Sequence, residues 1–137
     1  MYRIRMFIVL SLFVLVGPAS VMASGTMYSA ETFKTAQSAD KLILVDVKAD
    51  WCPTCKAQGV ILEEFQQDPA MKDLVFISVD FDTDKDFLKA HNISKQSTIL
   101  VFDGENEIDR SIAITDRDKL REFVLNAVEK ASSPDNN

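Results

Sequence analysis

Cysteine and histidine are scarce in this chain, with two cysteines and one histidine among 137 residues. That excludes a disulfide-stapled mini-scaffold, and the chain cannot complete a four-ligand Cys/His zinc site by itself. Glycine and proline number four each, so low-complexity and linker-rich architectures are excluded as well. Basic residues are outnumbered, 15 against 21 acidic, for a formal charge of -6. Nucleic acid is therefore not an expected partner, because binding by counterion release needs a basic surface. No apolar run reaches the roughly 20 residues of a membrane-spanning helix. What the chain does have is 47% apolar and 26% charged residues, the composition of one ordinary folded domain with a real core.

The first residues read as a targeting segment. Arg3 and Arg5 precede the apolar stretch Met6 to Val16, which is followed by Gly17-Pro18 and by Val21-x-Ala23. This is the order of a secretory signal peptide spanning 1–23, with cleavage after Ala23 and a mature chain starting near Ser24. An uncleaved anchor is the minor alternative, and no cysteine stands where a lipid would be attached. Removing Arg3 and Arg5 leaves 13 basic residues against 21 acidic, a charge of -8. The expected product is a small acidic domain, 24–130, working outside the cytoplasm, followed by a disordered tail at 131–137.

Along that domain, Ser29 is a candidate N-cap for a helix over Ala30 to Gln37 anchored by Phe33. Leu42 to Val47 is short, apolar and β-branched, as a strand buried on both faces should be, with Asp46 its one polar member. A helix is predicted from Pro53 to Phe65, with Pro53 at its first position and Val60, Ile61, Leu62 and Phe65 on one side. Strands at Val75 to Val79 and Ser97 to Phe102, a short helix around Phe87 to His91 and a hairpin arm at Ile108 to Ile114 follow. A last amphipathic helix, about Asp116 to Lys130, repeats Leu120, Phe123, Val124, Ala127 and Val128. The alternation predicts an α/β fold, a central mixed β-sheet flanked by helices on both faces.

The chemistry is concentrated in Trp51-Cys52-Pro53-Thr54-Cys55-Lys56, where the buried strand hands over to a helix. Unpaired N–H groups and the positive dipole end at a helix N-terminus stabilise a thiolate, which lowers the pKa expected of Cys52. Cys55 lies about one turn on, roughly 5 to 6 Å away, within disulfide reach. An exposed, activated first thiol can attack a disulfide, and a more shielded second thiol can resolve the mixed disulfide. A purely structural bridge across two residues removes little unfolded-state entropy. Haem attachment would need histidine where Lys56 stands. Half of a zinc site would need a partner chain, and a two-coordinate Cu(I) site on Cys52 and Cys55 remains as the alternative.

The stretch I-L-V-D-V-K-A-D-W-C-P-T-C-K, Ile43 to Lys56, resembles the active-site strand and motif of the thioredoxin superfamily, and the likeness in motif and element order runs from about Met27 to Lys130. A-D-W-C-x-x-C-K, Asp68-Pro69 and T-I-L-V-F-D-G look closest to periplasmic thioredoxin-like proteins and to the C-terminal domain of DsbD-type membrane thiol transporters. The resemblance implies a thioredoxin fold and a thiol-disulfide oxidoreductase whose only redox group is the Cys52–Cys55 pair, with no added cofactor. Cys52 would attack, Cys55 would resolve, and Asp46 would be the buried carboxylate beneath Cys55 that accepts its proton. Trp51, Pro53, Thr54, Gln96 and Ser97 would form the substrate-contacting surface. Pro53-Thr54 lacks the histidine of DsbA-like oxidants and isomerases, which points to a reductant; with the export segment, the resemblance implies a periplasmic protein, expected as a monomer, fed by a DsbD-type transporter and acting on periplasmic protein disulfides. A peptide-binding domain with idle cysteines is a further alternative.

The family pattern is broken at three places. Ser97 stands where a cis-proline faces the cysteines, leaving a cis and a trans Gln96–Ser97 bond both open. Its hydroxyl could donate to the Cys52 thiolate, and losing the proline ring would unguard the sulfurs toward metals. Ser78 replaces the lysine that commonly partners the buried aspartate, and Val60 replaces a helix-kinking proline. Asp80, Asp82 and Asp84 alternate as in a calcium loop, but Lys85 and His91 occupy the glycine and glutamate positions. A solvated loop with Asp84 capping the next helix is expected, and His91 is expected as a helix-end residue.

Overall fold

The computed structural model describes residues 25–133. The signal-peptide reading of 1–23, and residues 134–137 of the expected tail, lie outside them. The elements are β1 (Thr26–Met27), α1 (Ala30–Ser38), β2 (Leu42–Lys48), α2 (Pro53–Gln66), a 3-10 turn (Pro69–Met71), β3 (Leu74–Asp80), α3 (Lys85–Ala90), β4 (Thr98–Asp103), β5 (Asn106–Ile112) and α4 (Arg117–Ala131). The two-residue β1 carries too little pattern to be read from sequence. The hairpin arm starts and ends earlier than expected because Gly104, at φ +54°, completes the turn and lets β5 begin at Asn106. The final helix reaches Ala131, one residue into the expected tail. Ser132 caps it, its hydroxyl donating to the Val128 carbonyl.

The strands form one mixed sheet in the order β1-β3-β2-β4-β5. β2 pairs in parallel with β3 and antiparallel with β4, so it lies at the centre, as its apolar run requires. Its alternating side chains face two cores. On one side Ile43, Val45 and Val47 join Phe33 of α1 and Phe87 of α3, with Leu100 and Phe102 of β4. On the other, Leu44 and Ile99 pack against Ile61, Leu62 and Phe65 of α2 and Leu120 and Val124 of α4. Helices therefore cover both faces of the sheet, as expected, and Asp46 shares the face of Leu44, under α2.

One side of α2 departs from the expected stripe. Val60 is 61% exposed, while Cys55, Gln58, Ile61, Leu62 and Phe65 are buried. At 100° per residue Val60 cannot share a face with Leu62, and the buried stripe admits Gln58 in its place. The Gln58 side-chain amide donates to the Ile114 carbonyl at 3.0 Å, tying α2 to the segment after β5. Arg121 of α4 pairs with Asp68 at 2.7 Å, tying the end of α2 to the last helix.

Leu120 is fully buried between α4 and the sheet. Leu120→Ala should lower the unfolding free energy by about 2 to 5 kcal/mol. Val60→Ala should change it by less than about 0.5 kcal/mol. Urea denaturation of the two variants checks the pair.

Candidate active site

β2 ends at Lys48, and the chain turns through Ala49 to Cys52 before α2 begins at Pro53. The Cys52 amide donates to the Ala49 carbonyl at 3.1 Å, which fixes the turn. Cys52 is the N-cap of α2, with extended backbone at φ -89° and ψ 110°, and Pro53 occupies the first helical position. The Cys55 N–H donates to Cys52 Sγ at 3.0 Å, so the first sulfur takes the capping role usually played by an oxygen. Cys52 and Cys55 are joined in a disulfide with Cα atoms 5.3 Å apart.

The sulfurs are less accessible than the chemistry led us to expect. Cys52 is only 2% exposed and Cys55 3%, so burial does not separate an exposed thiol from a shielded one. They pack with Ala49 against Phe81. Ser97 covers them from the loop before β4. What distinguishes Cys52 is the donated N–H and the helix end, both of which favour negative charge on its sulfur.

The loop carrying Ser97 settles the peptide geometry. No peptide bond among the described residues is cis, so Gln96–Ser97 is trans. The chain accommodates it by placing Ser97 at φ +61°. Ser97 N–H donates to the Val47 carbonyl at 2.8 Å, and its carbonyl accepts from Ala113 N–H at 2.9 Å. Its Oγ lies 3.2 Å from Cys52 Sγ and 3.1 Å from Cys55 Sγ.

Asp46 is 6% exposed, on the central strand, opposite Ser78 in the β2–β3 register. Its Oδ1 has no hydrogen-bond partner among the described residues. Desolvation pushes its pKa up to about 6, against a smaller lowering by Lys48. Asp46, Lys48, Glu63, Gln66 and Ser78 line a cavity of about 410 Å³ between α2 and β3. Ser78 stands opposite the carboxylate where a lysine would pair with it, and the lowering by Lys48 does not overcome the desolvation.

The remaining expected residues divide. Trp51 is 59% exposed beside the disulfide, and its indole N–H donates to Asp82 Oδ2 at 2.8 Å. Asp82 was not legible as a site residue, because its spacing suggested only a solvated loop. That loop is ordered by its own carboxylates: Asp80 accepts the amides of Asp82 and Thr83, which holds its pKa below the usual carboxylate range. Asp84 precedes α3 but makes no side-chain cap. Its carboxylate accepts the Asp80 amide at 2.7 Å instead. Pro53 is exposed, Thr54 and Gln96 half-buried. His91 ends α3 and packs on Phe87, Phe33 and Phe102, where desolvation lowers its pKa.

The family model for thioredoxin matches residues 25–126. The chain belongs to the thioredoxin family. It is 32% identical over 87 residues to the thioredoxin of Mycoplasmoides gallisepticum, spanning 64% of this chain and 85% of that one. The crystal structure of Trxlp from Edwardsiella tarda is 40% identical with a TM-score of 0.71, covering 73% of this chain and 97% of that one. The thioredoxin of Malassezia sympodialis superposes with a TM-score of 0.69 at 25% identity, covering 80% and 93%. With its Cys52–Cys55 disulfide, this thioredoxin-like chain is a thiol-disulfide oxidoreductase acting on protein disulfides.

Burial of Asp46 has a measurable consequence for stability. Between pH 3.8, its unshifted pKa, and about 6, the folded protein holds a proton that the unfolded chain has released. Stability is therefore lost as pH rises through that window, and above it the full cost of burying the charge is present. Asp46→Asn should raise the unfolding free energy by roughly 3 kcal/mol at pH 7 and by little near pH 4. Denaturant titrations at the two pH values check both size and sign.

Proposed function

We propose that this thioredoxin-family oxidoreductase is a periplasmic reductant, kept reduced by a membrane thiol transporter of the DsbD type and acting on disulfides of periplasmic proteins. The observation that carries the reading is the Cys55 N–H donated into Cys52 Sγ at the α2 N-terminus, which supports Cys52 as the sulfur that bears the negative charge once the pair is reduced.

In the reduced protein the Cys52 thiolate attacks one sulfur of a client disulfide. A Cys52–client bond forms, the client S–S bond breaks, and its electron pair leaves on the other client sulfur. Cys55 then gives its proton to Asp46 and attacks Cys52 Sγ. The Cys52–Cys55 bond forms and the second client thiolate departs. The buried carboxylate suits this exchange because its pKa of about 6 leaves it ionised at neutral pH yet close enough to a proton's return. The polar cavity beside Asp46 offers solvent a route to it. Trp51 and Pro53, exposed beside the pair, with Thr54 and Gln96, would receive the client chain.

Direction and compartment rest on the sequence. Pro53-Thr54 adds no positive charge between the cysteines, so nothing there stabilises the dithiol beyond the helix end. The segment Arg3 to Ala23 directs export, and a reductant in an oxidising compartment needs electrons delivered through the membrane. Equilibration of the mature protein with dithiothreitol, read by fluorescence of Trp51, the sole tryptophan, should give a potential near the thioredoxin value of about -270 mV. A value near the DsbA level of about -120 mV would make it an oxidant or isomerase. In periplasmic extracts Cys55→Ser should trap a mixed disulfide on Cys52. Stoichiometric Cu(I) binding with no disulfide exchange would overturn the reading in favour of a copper-handling module.

A further inference from the structure

Ser97 is 3% exposed, and among the described residues the only hydrogen-bond partners of its hydroxyl are the two sulfurs, at 3.2 and 3.1 Å. A serine hydroxyl has one proton to give and lone pairs to accept with. The sulfurs of a disulfide are weak acceptors, so in the oxidised protein this buried O–H is poorly satisfied. Reduction changes its surroundings. Adding two electrons and one proton to the pair gives a thiolate at Cys52 and a thiol at Cys55. The Cys55 S–H can then donate to Oγ while the Ser97 O–H donates to the Cys52 thiolate, a charge-assisted bond stronger than any it has in the disulfide form.

We infer that Ser97 is a catalytic residue whose hydroxyl bridges the two sulfurs, placing negative charge on Cys52 in the dithiol and transferring its hydrogen bond to Cys55 when Cys55 becomes the nucleophile. This rests on the assignment of Cys52 as the attacking thiol. During resolution Cys52 is bonded to the client and no longer charged. Cys55 has surrendered its proton to Asp46, and the hydroxyl rotates to donate to the Cys55 thiolate. No proton is lost or gained by Ser97 itself. The electron pair ends on the departing client sulfur, as before.

The backbone is arranged for this contact. A non-glycine residue at φ +61° is disfavoured, and Ser97 is held there by one bond from its N–H to Val47 and one to its carbonyl from Ala113. Both anchors are backbone groups and survive a change of side chain. A substitution at Ser97 therefore separates the hydroxyl from the loop. The ionisable groups on the elements around the pair, among them Asp46 and Lys48 of β2, Asp50 in the turn before Cys52, Lys56, Glu63 and Glu64 of α2, Asp80 of β3, Asp82 after it and Lys95 in the Ser97 loop, remain in place in such variants.

The test compares Ser97→Ala with Ser97→Gly. Glycine takes φ +61° without strain, so it keeps the loop while removing the hydroxyl. In both reduced variants the pH midpoint of thiolate ultraviolet absorbance should rise by about one unit. The equilibrium with glutathione should move about tenfold toward the protein disulfide, because the reduced form has lost its stronger bond. Unchanged midpoints in both variants would overturn the inference, as would a shift in Ser97→Ala that Ser97→Gly does not share, which would mark a backbone role. Alkylation of the wild-type dithiol followed by mass spectrometry shows which cysteine carries the charge. Modification at Cys55 first would overturn the Cys52 assignment, and with it the direction of the bridge, independently of the variants.

Discussion

A helix that begins at a buried strand end must satisfy its first amides, and here a sulfur does so. The Cys55 N–H donates to Cys52 Sγ, and nearly everything at this end of the molecule depends on that bond. It needs β2 at the centre of the sheet, the Ala49–Cys52 turn to bring the chain round, and Pro53 to start α2 where an N–H would otherwise be orphaned. The same geometry that ends the strand and starts the helix sets the sulfur in the field of the helix dipole, so local folding and reactivity have one cause.

Around this bond the fold tolerates several unfavourable features within a small volume. Asp46 keeps an oxygen buried with no partner among the described residues, Ser97 sits at positive φ, and both sulfurs are nearly closed off from solvent. Each costs stability, and together they are offset by the two apolar cores on either side of the sheet. Such clustering of strain and unpaired polarity belongs to functional sites rather than to structural ones. The hydroxyl bridge and the raised carboxylate also divide the work. In the proposed cycle the first stabilises charge on sulfur, and the second receives the proton that such charge displaces.

Much of this was legible in the residues. The apolar run at Leu42 to Val47 read as a strand buried on both faces, and the thioredoxin resemblance implied that its single carboxylate, Asp46, was buried, as the structure shows. Ser29 and Pro53 marked helix starts because capping and a missing N–H are local properties. What failed was anything decided by distant contacts. Nothing in the sequence marked Gln58 for burial against the Ile114 carbonyl, and Val60 looked apolar enough for a core that the helix angle denies it. Asp82 acquired a role only through Trp51, 31 residues away. The exposure expected of Cys52 was wrong for the same reason, since the lid over it comes from Ser97 on another loop. That loop's geometry was undecidable from Gln96-Ser97 alone, because the anchors at Val47 and Ala113 hold its trans form in place.

The α2 N-terminus should make Cys52 an acid. Titration of the reduced wild-type protein, following the rate of alkylation at Cys52 against pH, should give a midpoint at least about one unit below the value of about 8.5 for a free cysteine. A midpoint at or above that value would mean that burial of the sulfur outweighs the helix end and that the Cys55 N–H and the helix dipole do not activate it.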